Sequence, residues 1–182
     1  MIMVFLPWNQ EIIGELASGG NLQVLKWVKR KGGIHLWENS ICINAAKYGQ
    51  LDCLIWAREN GCSWDASVYY CAAMGGYLNC MIWAHEHGCP FNRHHNICMR
   101  AAENGYLDCL IWAYRNSHTY LRSQKDVCTR AVRFGHLNCL IWAIREMVPH
   151  NWDKWECITI AKTYDHQHIV DWILMNEIHQ AT

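Results

Sequence analysis

The chain has no net charge, since sixteen basic and sixteen acidic residues balance over 182 positions. Nothing in that balance directs it to a polyanion or an anionic bilayer, so any charged attraction must come from a local patch. Long apolar runs are missing too. The opening MIMVFLPW has no basic flank and falls far short of the roughly 20 residues that span a bilayer, so no membrane partner or signal segment is expected and the protein is placed inside the cell, in the cytoplasm. Catalytic signatures are also absent: there is no nucleophile elbow, phosphate-binding glycine loop, HExxH or paired-carboxylate arrangement. A Cys/His dyad assembled across the fold is the one form of chemistry left open, and the expectation is a protein that is not an enzyme.

What is present begins with a folded, 52% apolar composition and eleven cysteines. An odd count without a signal segment fits reduced thiols acting as small hydrophobes. Six soft ligands crowd HEHGCPFNRHHNIC, namely His85, His87, Cys89, His94, His95 and Cys98. Their spacing matches no standard zinc site, and the cysteines recur as Cys62, Cys42 and Cys128 in stretches without the histidines. No metal and no cofactor are expected.

A tryptophan recurs at Trp27, Trp56, Trp83, Trp112, Trp142 and Trp172, at spacings of 29, 27, 29, 30 and 30. Such a period marks a solenoid. Seven residues before each tryptophan stands Gly20, Gly49, Gly76, Gly105 or Gly135, with Asp165 in the last repeat. Glycine, and less comfortably aspartate, suits the left-handed position that ends one helix and lets the next begin. Four residues earlier come Ala45, Ala72, Ala101, Ala131 and Ala161, with Leu16 in the first repeat, and small side chains let helices approach closely. Each repeat thus predicts a first helix, a glycine turn, a second helix carrying the tryptophan, and a loop such as NGCSWD or HGCPFN in which Asp65 and Asn92 cap the next helix. The helix pairs fall at about 8–31, 37–60, 64–87, 93–116, 123–146 and 152–178, in one all-α domain over residues 1–182.

At 100° per residue the second helix is apolar round most of its circumference. In LDCLIWARE, Leu51, Leu54 and Ala57 mark one side, Cys53 and Trp56 extend the arc one way and Ile55 the other, leaving Asp52 and Glu59 on a polar edge. Such a helix needs cover from its partner and from equivalent helices in neighbouring repeats, with Trp of one repeat against Ile of the next. The position of Ile55, Ile82, Ile111 and Ile141 is Lys26 in the first repeat and Asp171 in the last, as suits ends that face water. The alternative is an exposed isoleucine stripe that docks a partner or a second copy. Trp64, Phe91 and Tyr120 occupy equivalent loop positions, with Trp37 and Trp152 close by, and are expected to pack beneath the loops; the alternative is exposed interface anchors.

The stretch AAKYGQLDCLIWARENGCSWD resembles the ankyrin half-repeat, in which two alanines, a glycine turn, a leucine-rich second helix and an Asn-Gly close precede a small residue and Asp. Its LxWAxxxGC flavour is similar to divergent ankyrin-like repeat proteins abundant in giant DNA viruses of amoebae. The resemblance covers about residues 8–178. It departs from the family in lacking the Thr-Pro-Leu-His opening of the first helix and in a period about four residues short of the familiar 33. The missing residues belong to the β-hairpin fingers. The resemblance therefore implies an ankyrin-like solenoid of six stacked helix-turn-helix units with shortened or absent fingers, binding another protein without catalysis and leaning more on its first helices to do so.

Where the repeats differ, they differ in charge. From Arg93 to Arg133 seven basic residues face Glu103, Asp108 and Asp126, whereas from Glu146 onward six acidic residues face only Lys154 and Lys162. Arg93, Arg122 and Lys125 lie near the starts of first helices, where a cation is unfavourable by some tenths of a kcal/mol. With His94, His95, His118 and Tyr120 they form the predicted partner-binding edge, a mixture suited to an acidic protein segment. KWVKRK at 26–31 reads as a solvated helix end. The expected function is that of an adaptor in protein–protein interaction, used by a large virus in its host's cytoplasm. A structural or assembly protein docking through an apolar stripe is the alternative, and a nucleic-acid binder resting on the basic middle comes third.

Overall fold

The computed structural model describes residues 10–31, 39–91, 97–116, 124–147 and 152–178. Among these residues there are twelve helices and no strand. They follow in pairs: α1 (Gln10–Ser18) and α2 (Leu22–Arg30), α3 (Asn39–Lys47) and α4 (Leu51–Glu59), α5 (Ser67–Gly75) and α6 (Leu78–Glu86), α7 (Ile97–Glu103) and α8 (Leu107–Asn116), α9 (Gln124–Arg133) and α10 (Leu137–Glu146), α11 (Lys154–Thr163) and α12 (Gln167–Ile178). Two compact units divide them, Met1–His95 and Asn96–Thr182. In the amino-terminal unit the first helices α1, α3 and α5 lie side by side; in the carboxy-terminal unit α7, α9 and α11 do the same. Each first helix packs on its own second helix.

The turn inside each pair follows from one left-handed residue. Gly20, Gly49, Gly76, Gly105 and Gly135 have φ of 68°, 71°, 78°, 78° and 80°, and Asp165 takes the same conformation at 58°. The next residue's N–H then reaches back five positions, Gln50 to the Ala45 carbonyl at 2.8 Å, Tyr77 to Ala72 at 2.9 Å and His136 to Ala131 at 2.8 Å. This paired closure satisfies carbonyls that a helix end otherwise leaves bare. It also explains why the alanine stands four residues before the glycine. Where the next helix begins, Asp65 accepts from the Ser67 N–H at 2.8 Å and Asp153 caps α11 through the Glu156 N–H at 3.0 Å. Asn92 lies outside the described residues.

Burial in the second helices falls on a Cys-Leu-x-x-Ala stripe. Cys53, Leu54 and Ala57 are sealed, as are Cys80, Met81 and Ala84, Cys109, Leu110 and Ala113, and Cys139, Leu140 and Ala143. The tryptophans flank this stripe. Trp56, Trp83, Trp112, Trp142 and Trp172 are half-buried and Trp27 is 43% exposed, while Ile55, Ile82, Ile111 and Ile141 are also half-buried. A large indole thus seals the margin of the interior, and leucine and cysteine fill its centre. Asp171 is exposed and Lys26 half-buried at the equivalent position. Trp64 is buried beneath its loop, edge-on to Trp83 at 5.6 Å and covered by the Arg58 guanidinium at 4.7 Å.

Candidate functional site

At three of the turns the residue after the left-handed position ties one pair to the pair before it. Gln50 Nε2 donates to the Ser18 carbonyl at 3.1 Å, His136 Nε2 to the Glu103 carbonyl at 3.1 Å and His166 Nε2 to the Arg133 carbonyl at 2.9 Å. In each case the acceptor lies two residues before the preceding pair's turn glycine, at a helix C-terminus where carbonyls lack partners. The glycine is needed a second time here, because a Cβ at Gly105 would stand 2.5 Å from His136 Nδ1 and one at Gly135 would stand 2.9 Å from His166 Cε1. A Cβ at Gly49 would enter the Tyr77 ring. This ladder holds register between pairs and positions the row of first helices.

On the carboxy-terminal unit that row carries the side chains best suited to a partner. Met99, Asp126, Thr129, Arg130, Arg133 and Ile160, drawn from α7, α9 and α11, line a depression of about 320 Å³. Glu103 is held between two arginines, with Oε2 at 2.8 Å from Arg100 Nη1 and 3.4 Å from Arg130 Nη1. The Arg133 guanidinium lies 5.4 Å from the Tyr164 ring centre. Trp155, the most exposed indole among the described residues at 62%, stands on α11, and Phe134 just after α9 and Tyr164 just after α11 are exposed at 44% and 46%. Exposed aromatics and arginine are the side chains that dominate interface energies once covered.

Of the predicted edge, Lys125 is an exposed residue in the first turn of α9. Arg93, His94, His95, His118, Tyr120 and Arg122 lie outside the described residues, as does Trp37. The described members of the histidine-cysteine cluster have other contacts: His87 stacks on Trp83 at 4.2 Å and donates from Nδ1 to the Trp83 carbonyl at 2.8 Å, His85 is edge-on to Phe91 at 6.1 Å, and Cys89 Sγ donates to the Asp65 carbonyl at 3.3 Å. Among the described residues no group of three His, Cys, Asp or Glu side chains is arranged to hold a metal.

The thiols have the environment of a core. All eleven cysteines are free and all but Cys71 are buried. Burial pushes Cys109 and Cys139 up to about 11 and Cys98, Cys128 and Cys157 up to about 12, so these groups are protonated and poorly nucleophilic at neutral pH. Cys62 goes the other way, lowered by its hydrogen bond with Cys42 and by Lys29 and Arg58, yet it is fully buried.

No protein-family model matches the chain, and no curated protein matches it. A solved structure does: the human ASB11 ankyrin repeat domain is similar with a TM-score of 0.71 at 17% identity, over 89% of this chain and 81% of that one. The fold is that of an ankyrin repeat domain. In this chain the recurring residues are spent on turns, ladder and interior, and the first-helix residues vary from pair to pair. Arg130 and Arg133 do not recur, and their sequence signal is the charge excess between Arg93 and Arg133; Trp155 carries no such signal.

Proposed function

We propose that this protein is a non-enzymatic interaction module, an adaptor that binds another protein through its first helices. The observation that carries the reading is the depression across α7, α9 and α11, with arginine and exposed aromatic side chains around an otherwise packed scaffold. The predicted edge of Arg93, His94, His95, His118, Tyr120, Arg122 and Lys125 belongs to the same proposal, and an acidic protein segment is its partner. The LxWAxxxGC pattern supports a source among large DNA viruses and a site of action in the host cytoplasm. Among the described residues no helix is long and apolar enough to cross a membrane.

The test is affinity capture from amoebal extract, with the wild type compared against the triple variant Arg93→Glu, Arg122→Glu, Lys125→Glu. Recovery of one protein by the wild type and its loss with the variant is the expected result. Equal recovery would remove the edge from the site. A second reading, a structural or assembly role, is favoured by the half-buried isoleucines and by Trp27, Leu174 and Met175, exposed at 43%, 43% and 64%. Light scattering after size exclusion separates the two: a monomer at micromolar concentration supports the adaptor, and obligate association supports assembly.

A further inference from the structure

The first helices of the carboxy-terminal unit are cationic and its second helices are not. On α7, α9 and α11 stand Arg100, Lys125, Arg130, Arg133, Lys154 and Lys162 against Glu103, Asp126 and Glu156. On α8, α10 and α12, Arg115 and Arg145 face Asp108, Glu146, Asp171 and Glu177. Fold stability does not require this sorting, because exposed charges contribute little wherever they stand. The carboxylates on the cationic row are already engaged locally. Glu103 is clamped by Arg100 and Arg130, and Asp126 and Glu156 sit in first turns, where negative charge complements the helix dipole.

We propose that this row binds an extended acidic segment of a partner protein, with one apolar side chain seated in the depression between Met99 and Ile160 and flanking carboxylates on Arg130 and Arg133. The inference rests on the interaction-module reading and specifies its partner. A depression of about 320 Å³ takes one large side chain and no folded domain. Its lining is mainly polar, with Met99 and Ile160 as the apolar part, and Arg130 and Arg133 stand one helical turn apart on α9, the i and i+3 spacing that places both guanidinia on one face. The Tyr164 ring beside Arg133 orients the planar guanidinium for a carboxylate. Asp126, also in the lining, stands one turn before Arg130 on α9, so the favourable positions for partner carboxylates are those at Arg130 and Arg133. The equivalent first-helix positions of the amino-terminal unit carry Ile43, Asn44 and Lys47 on α3 and Tyr70, Cys71 and Met74 on α5, with no arginine among them.

The experiment is selection from a random library of twelve-residue displayed peptides against the full chain, followed by fluorescence anisotropy with the enriched peptides. Enriched peptides are expected to carry two or more Asp or Glu around a Leu, Met or Phe. Their affinity should fall at least tenfold with Arg133→Glu and with Arg130→Gln/Arg133→Gln, stay within twofold with Lys47→Glu in the other unit, and weaken with added salt. Circular dichroism establishes that each variant is folded. Enriched peptides without acidic residues, but still lost with Arg133→Glu, would overturn the acidic partner and leave the interaction module standing. Acidic peptides indifferent to the arginine variants, or no enriched family, would overturn the site.

Discussion

The amino- and carboxy-terminal units have the same interior and opposite surfaces. Where the carboxy-terminal first helices are cationic, those of the amino-terminal unit carry Glu11 and Glu15 against Lys47. The second helices reverse as well, with Lys26, Lys29, Arg30 and Arg58 against Asp52, Glu59 and Glu86 in the amino-terminal unit. Yet Cys53, Leu54 and Ala57 reappear as Cys109, Leu110 and Ala113, all sealed. Close packing fixes the second set because a change of one methylene is felt there. Solvated charge is not fixed by the fold, so its sorting reports on what each face meets.

If the interiors are alike, both units should fail together in alkali. Burial raises Cys53, Cys71 and Cys89 in one unit and the five thiols from Cys98 to Cys157 in the other, while Cys42 is raised first by its hydrogen bond to Cys62 and then by burial. A raised thiol pKa favours the protonated native form, so its contribution is complete below the unfolded value of 9.0 and is lost as pH climbs from there toward 11 or 12. Above pH 9 each such thiol costs roughly 1.4 kcal/mol per further pH unit. Under reducing conditions the urea midpoint should hold to about pH 9 and collapse by about pH 10.5. A flat midpoint across that range would mean that the thiols titrate as in the unfolded chain.

Next in size are core truncations. Leu54→Ala and Leu110→Ala should each cost about 3 to 4 kcal/mol, because a sealed leucine leaves a cavity. Their difference should be small if the interiors match. Trp112→Ala should cost about 2 kcal/mol and Trp27→Ala about 1, since the half-buried indole loses less covered area. Recurrence marks a packing position without giving its depth: on the helix wheel Trp56 lies at the flank of the arc that Leu54 and Ala57 centre, and in the fold it is half-buried beside them.

The turns were legible because glycine at a fixed register has one backbone reason to be there, and Asp165 could be placed by analogy. The second reason was not legible. The residue after the left-handed position is Asn21, Gln50, Tyr77, Tyr106, His136 or His166, a set with no shared identity, and at Gln50, His136 and His166 it bonds to a backbone carbonyl that no sequence displays. The candidate site was legible as a charge excess but not as a groove, because helix facing had to bring Met99, Arg130 and Ile160 together. Gly49→Ala separates the two roles of the glycine. It should cost about 2 kcal/mol or more, combining left-handed strain with the Tyr77 ring. Gly88→Ala, at φ 77° with nothing within 4 Å, should cost about 1. Adding Tyr77→Ala to Gly49→Ala should recover part of the loss; strict additivity would show that the ring moves aside freely.

The smallest effect probes the ladder itself, where the units use different chemistry for one bond. Gln50 uses an amide on the Ser18 carbonyl, and His136 an imidazole on the Glu103 carbonyl, at the same 3.1 Å. If that bond is the requirement, His136→Gln should change stability by less than about 0.5 kcal/mol, because an amide donor is known to reach from this register, whereas His136→Ala should cost about 1 kcal/mol with the bond removed. The reciprocal Gln50→His should also be mild, since Gly20 leaves open the space that an imidazole needs, as Gly105 does for His136. Equal losses from His136→Gln and His136→Ala would show that the ring's packing over Gly105, and not its hydrogen bond, holds the pairs in register.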